Sequence, residues 1–162
     1  MTSLLKSALI LAFSAGLMSC MKPEPLPAGA QGGYRAGRYL DAVWLCPDFK
    51  RSSSFAISAA WGETPASEGV RAYLDQKTRA LTDPQAPYRL ILRFNRSGGP
   101  PSIGLFRTGP FLAVHGKVED GSGHVLAMFE NRRSTIFPLA ANEQSAIDDT
   151  LRWIYIDLGP EN

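Results

Sequence analysis

Residues 88 to 95 read Tyr-Arg-Leu-Ile-Leu-Arg-Phe-Asn, with Tyr88, Leu90, Leu92 and Phe94 at one parity and Arg89, Ile91, Arg93 and Asn95 at the other. Side chains of a strand alternate between faces, so this pattern predicts a half-buried antiparallel strand. One side seeks a core and the other carries arginines to solvent. A chain holding such a strand needs a sheet to receive it and a layer to cover the apolar side.

The neighbouring segments supply both. Arg38 to Leu45 reads as a strand ended by Pro47, with Leu40, Ala42, Trp44 and Cys46 sharing a side. Phe55 to Trp61 reads as a second, with Phe55, Ile57, Ala59 and Trp61 on one side and small residues on the other. Between Gly62 and Leu81 the spacing of Val70, Tyr73, Leu74, Lys77 and Leu81 is helical, with Thr64 suited to the N-cap, Pro65 to the first turn, and Asp83-Pro84 to the end. Phe111 to Val118 is a strand, Asp120-Gly121-Ser122-Gly123 a hairpin turn, and His124 to Phe137 a returning strand broken near Asn131. Ile147, Leu151, Ile154 and Leu158 mark a last helix begun at Asn142 and stopped by Gly159-Pro160. Trp153 to Ile156 also suits a strand. The order β-β-α-β-β-β-α predicts an α+β fold: an antiparallel sheet of about five strands, with two helices on one face.

The first 33 residues stand apart. Lys6 precedes an apolar run from Ala8 to Met18, the size of a signal-peptide core and too short to span a bilayer. Lys22 to Gly33 is rich in proline and glycine and predicts an extended leash of about 30–40 Å at about 3 Å per residue. The boundaries are thus 1–19 for the signal peptide, 20–33 for the leash and 34–162 for one domain. Removing 19 of the 162 residues leaves 143, enough for a core without disulfides. Lys+Arg 17 against Asp+Glu 15 gives a formal charge of +2, and without Lys6 it is +1, so the overall balance points to no nucleic-acid partner.

Leu17-Met18-Ser19-Cys20 resembles the bacterial lipobox, with an aliphatic residue three before the cysteine and a small residue just before it. The resemblance implies a diacylglyceryl group on the Cys20 thiol, cleavage after Ser19 and acylation of the new amine. Two or three chains anchor a protein stably, at about 0.8 kcal/mol per buried methylene. Met21, where an Asp would favour inner-membrane retention, implies a periplasm-facing lipoprotein of the outer membrane. The element pattern is also similar to that of small Gram-negative envelope lipoproteins, such as the partner of the lipopolysaccharide-insertion machine and accessories of lipid-transport complexes. The partners so implied are the membrane and an envelope protein or anionic lipid.

No motif specifies an activity. The chain carries no Gly-x-Ser-x-Gly elbow, no His-Glu-x-x-His, no phosphate loop and no dinucleotide fingerprint. Cys46 with His115 or His124 as base is the candidate nucleophile, set against a buried structural cysteine. With the turn centred on Gly121-Ser122, His115 would face Met128, and the two histidines would stand too far apart to share a metal. Glu119-Asp120 diverge on a strand, and Asp148-Asp149 suit a solvated helix face. The reading is therefore non-catalytic, with no cofactor and no metal. Two binding leads remain. One is a basic sheet face of Arg89, Arg93, Lys117, Arg132 and Arg133, suited to phosphate or carboxylate. The other is the long loop 96–110, which carries Ile103, Leu105 and Phe106.

Overall fold

The structure is a computed structural model and describes residues 24–64, 66–97, 111–134 and 139–161. Five strands and two helices follow the anticipated order: β1 (Ala42–Leu45), β2 (Ala56–Trp61), α1 (Glu68–Leu81), β3 (Arg89–Ser97), β4 (Phe111–Glu119), β5 (Val125–Ser134) and α2 (Leu139–Leu158). The strands form one sheet in the order β1-β5-β4-β3-β2. It is mixed, not wholly antiparallel, because β2 and β3 pair in parallel. The reason lies between them: α1 carries the chain back along the sheet, so the next strand runs the same way as the last.

Both helices cover one face. Val70 and Leu74 of α1 and Ile147, Leu151, Ile154 and Leu158 of α2 are buried with Leu90, Leu92, Phe94, Leu112, Val114, Val118 and Phe129 of the sheet. Each such side chain contributes about 1.5–3 kcal/mol when fully buried. The helical stripe differs from the expected one at its end, since Thr78 is buried while Leu81 is 41% exposed. Thr78 satisfies its hydroxyl by donating to the Leu74 carbonyl, 2.9 Å away. The N-cap of α1 is Ser67 rather than Thr64, and Pro65 lies outside the described residues. Helix α2 begins at Leu139, three residues before Asn142, and runs unbroken through Trp153 to Ile156. Strand β5 passes through Asn131 without a break, because the Asn131 side chain donates to Thr150 Oγ1 of α2 across a buried 2.9 Å.

Strand β1 is shorter than anticipated. A turn at residues 37–40 precedes it, closed by Gly37 N donating to the Leu40 carbonyl. Val43 and Leu45 oppose Phe129 and Ala127 on the helix side. Trp44 opposes Met128 on the other side, yet is buried. The segment after Glu24 is what covers it. Trp44 Nε1 donates to the Gln31 carbonyl at 3.0 Å, Tyr34 Oη donates to the Glu24 carbonyl at 3.1 Å, and Arg35 exchanges two backbone bonds with Val43 along the outer edge of β1.

Candidate functional sites on the two faces

Sheet register assigns every charged strand residue to a face. Arg89, Arg93 and Lys117 lie on the helix-free face, as anticipated, with Arg132 opposite Ala113 on the same side. Arg133 does not join them. Adjacent strand residues point oppositely, so Arg133 turns toward α2, where its Nη2 meets Asp149 Oδ2 at 2.6 Å. The remaining four are not one continuous basic patch. Lys117 Nζ pairs with Glu119 Oε1 at 2.6 Å, and the Asp41 carboxylate, which accepts the Arg132 backbone N–H, sets a negative charge beside Arg132. Arg89 and Arg93 are exposed.

Between these lies a pair that the sequence reading misplaced. His115 opposes Glu130, not Met128. The turn is longer than two residues: Asp120 Oδ1 accepts from Ser122 N, Ser122 Oγ and His124 N, and a register shift follows Val118. The same three bonds hold the Asp120 carboxyl below its ordinary range, the Ser122 hydroxyl contributing most. His115 Nδ1 stands 3.2 Å from Glu130 Oε1 with both side chains largely buried. That is ion-pair distance without hydrogen-bond alignment, for neither atom has a hydrogen-bond partner among the described residues.

Cys46 is half-buried beside the same face, in a cleft of about 320 Å³ lined also by Pro27, Gln31, Trp44, Asp48 and His124. The fold thus brings Cys46 and His124 to one cleft, whereas His115 lies with Glu130 instead. Cys20 and the loop residues Ile103, Leu105 and Phe106 lie outside the described residues.

On the helix side, α2 presents Asp149, Trp153 and Asp157 four residues apart on one stripe. The Arg133 guanidinium lies over the Trp153 ring at 4.4 Å. Trp153 stacks on Tyr39 with centroids 6.0 Å apart, and the Arg38 guanidinium approaches Tyr39 at 5.5 Å. Cation–π and aromatic contacts of this geometry each contribute about 0.5–1.5 kcal/mol. Asp157 sets the ladder in place. Its carboxylate accepts from the backbone N–H groups of Arg38, Tyr39 and Leu40 at 2.9, 3.0 and 2.7 Å. Beyond the ladder opens a cleft of about 750 Å³ lined by Arg38, Arg51, Arg152, Tyr155 and Glu161. Arg51 is partly committed there: its Nη1 donates to the Asp157 and Gly159 carbonyls at the end of α2, and its Nη2 lies 3.5 Å from Glu161. Burial raises the Tyr155 hydroxyl above its ordinary range, with Asp83 adding to the effect.

No family model matches the chain, and no curated protein matches it. Among solved structures it is similar to PelC from Paraburkholderia phytofirmans. A dodecamer of a single-substitution variant gives a TM-score of 0.40 at 17% identity, covering 80% of this chain and 100% of that one. A second dodecamer crystal form gives 0.39 at 19% identity, covering 74% and 96%.

The ladder had no signature in the sequence. Its members come from three places in the chain, and only the 37–40 turn brings Arg38 and Tyr39 onto α2. The one available signal was the i, i+4, i+8 spacing of Asp149, Trp153 and Asp157, a polar and aromatic stripe beside the apolar one.

Proposed function

We propose that this chain is a lipid-anchored protein of the bacterial cell envelope whose α+β domain is a non-catalytic binding module for another envelope component. The anchor rests on Leu17-Met18-Ser19-Cys20. The observation that carries the binding reading is the Arg133–Trp153–Tyr39–Arg38 ladder beside the arginine-lined cleft. Arginine, tyrosine and tryptophan are the side chains that dominate binding energy at protein interfaces. Here they are held in one arrangement by Asp157, so little ordering cost remains to be met on association. Exposed Arg152 and partly engaged Arg38 favour a partner with carboxylates at the contact.

The test is crosslinking in intact cells with a photoreactive residue at position 156, which lines the cleft without belonging to the ladder, in the otherwise native chain and in an Arg38→Glu/Arg152→Glu variant. The proposal expects a discrete adduct with an envelope protein that the double charge reversal reduces at least tenfold. An adduct unchanged by the reversal, or none at all, counts against it.

The arginines of the cleft also favour a second reading, an accessory that binds an anionic lipid or other anion. Its mark is bound lipid in the native mass spectrum of the purified domain, released by Arg38→Ala with Arg152→Ala. An enzyme using Cys46 is the third reading. It requires that Cys46→Ala abolish an activity, whereas the binding module keeps its partner in that variant.

A further inference from the structure

The stretch between Cys20 and the first fastened residue of the domain is much shorter than the proline-rich composition suggests. Residues 24–35 are fastened to the domain, and they are fastened across its helix-free face. Gln31 caps Trp44 Nε1 on that face. Pro27 to Gln31 line the cleft with Trp44, Cys46 and His124. Glu24 is tied to Tyr34, whose hydroxyl feels the Glu130 carboxylate of the same face. Three residues, Met21 to Pro23, separate Glu24 from Cys20, so the chain takes four Cα-to-Cα steps. Fully extended, they reach about 14 Å. A domain of this length is about 35–40 Å across, so such a leash cannot carry the body round to present its opposite side.

We infer that the anchored chain holds the helix-free face of its sheet against the bilayer surface, with residues 24–34 between sheet and headgroups, and turns the helix layer away from it. The inference rests on the lipid anchor proposed above and adds the occupant of that face. Two features of the face fit a bilayer surface. Lys117 and Glu119 neutralise each other. Arg89 and Arg93, exposed on β3, reach toward anionic headgroups. The ladder of Tyr39 and Trp153, anchored on α2, is left accessible to a partner in the aqueous phase.

The experiment uses the full mature chain, purified from membranes and reconstituted in phosphatidylethanolamine–phosphatidylglycerol vesicles containing a nickel-chelating lipid. In a Cys46→Ser background, single nitroxide labels are placed at Lys117→Cys or Arg93→Cys on the sheet face, and at Gln76→Cys on the exposed side of α1. The headgroup nickel is expected to relax the sheet-face labels at least fivefold more strongly than the label at position 76. A spacer of about ten Gly-Ser residues between Pro23 and Glu24 is expected to erase most of that difference. Equal or reversed relaxation overturns the inference, as does a difference that the spacer leaves intact. The intact mass of the same samples reads the anchor separately. An acylated Cys20 with equal relaxation sinks the orientation and leaves the lipoprotein reading standing, whereas a chain without acyl groups sinks both.

Discussion

Two residues show how single side chains hold the N-terminal part of the domain in place. Asp157 accepts three backbone N–H groups from the 38–40 turn while largely buried. Removing the carboxylate leaves those donors without partners, at about 1–3 kcal/mol for each that water cannot reach. Asp157→Ala is expected to destabilise the domain by about 3 kcal/mol in urea unfolding. Asp157→Asn, which keeps one acceptor oxygen, should cost less. Both should loosen the Tyr39–Trp153 stack, seen as a change in tryptophan fluorescence. Tyr34 provides a pH test. Burial above all, then the carboxylates of Glu130 and Glu24, push its hydroxyl from 10.0 to about 12. The folded state therefore favours the protonated phenol. Its contribution is fully present below pH 10 and is lost as pH rises through about 12. Proteolysis of the 24–34 segment should accelerate in that window. Tyr34→Phe should remove the pH-dependent step, although cutting at neutral pH should be somewhat faster without the bond to Glu24.

At the scale of elements, β4 and β5 pack so closely that one glycine is obligatory. A Cβ on Gly116 would fall 2.0 Å from the Phe129 ring, which lies over it from the paired strand. Gly116→Ala is expected to cost about 1–3 kcal/mol through overpacking, measured as a lowered urea midpoint at unchanged m-value. Thr150→Val should cost a similar amount by leaving the Asn131 amide without its partner.

These elements also show what a sequence can and cannot display. Periodicity is local, so the alternation at 88–95 and the helical spacing from Ile147 to Leu158 placed β3 and α2 correctly. Pairing is not local. An antiparallel sheet was expected, and the parallel union of β2 with β3 was missed, although the helix between them returns the chain along the sheet. Alternation in β1 does not say which side meets the helices, because Trp44 is as apolar as a core residue, and only the docked 24–34 segment explains its burial on the helix-free side. The His115–Glu130 pair and the turn of Arg133 away from the basic face depend on register. Register here was decided by the Asp120 side chain and a shift after Val118, neither of which alternation reveals.

The whole molecule divides its work between two sides. Burial and helix packing occupy one face of the sheet. The other face takes the incoming chain, so the path from Cys20 ends on the structure within a few residues. The ladder and its cleft lie along α2, where the chemistry of arginine and aromatic rings suits a macromolecular partner. On this account Arg89→Ala with Arg93→Ala should leave the partner adduct at position 156 unchanged, while Tyr39→Ala should weaken it at least tenfold. A loss in the first and none in the second would exchange the roles of the two faces.

All of this depends on how the mature chain begins. The most direct measurement is intact and N-terminal-peptide mass spectrometry of the protein extracted from its native membranes. The account predicts a chain starting at Cys20 with fatty acyl groups on its sulfur and, after full maturation, on its amine. A chain starting at Met1, or at any residue other than Cys20, or a Cys20 with a free thiol, would contradict it.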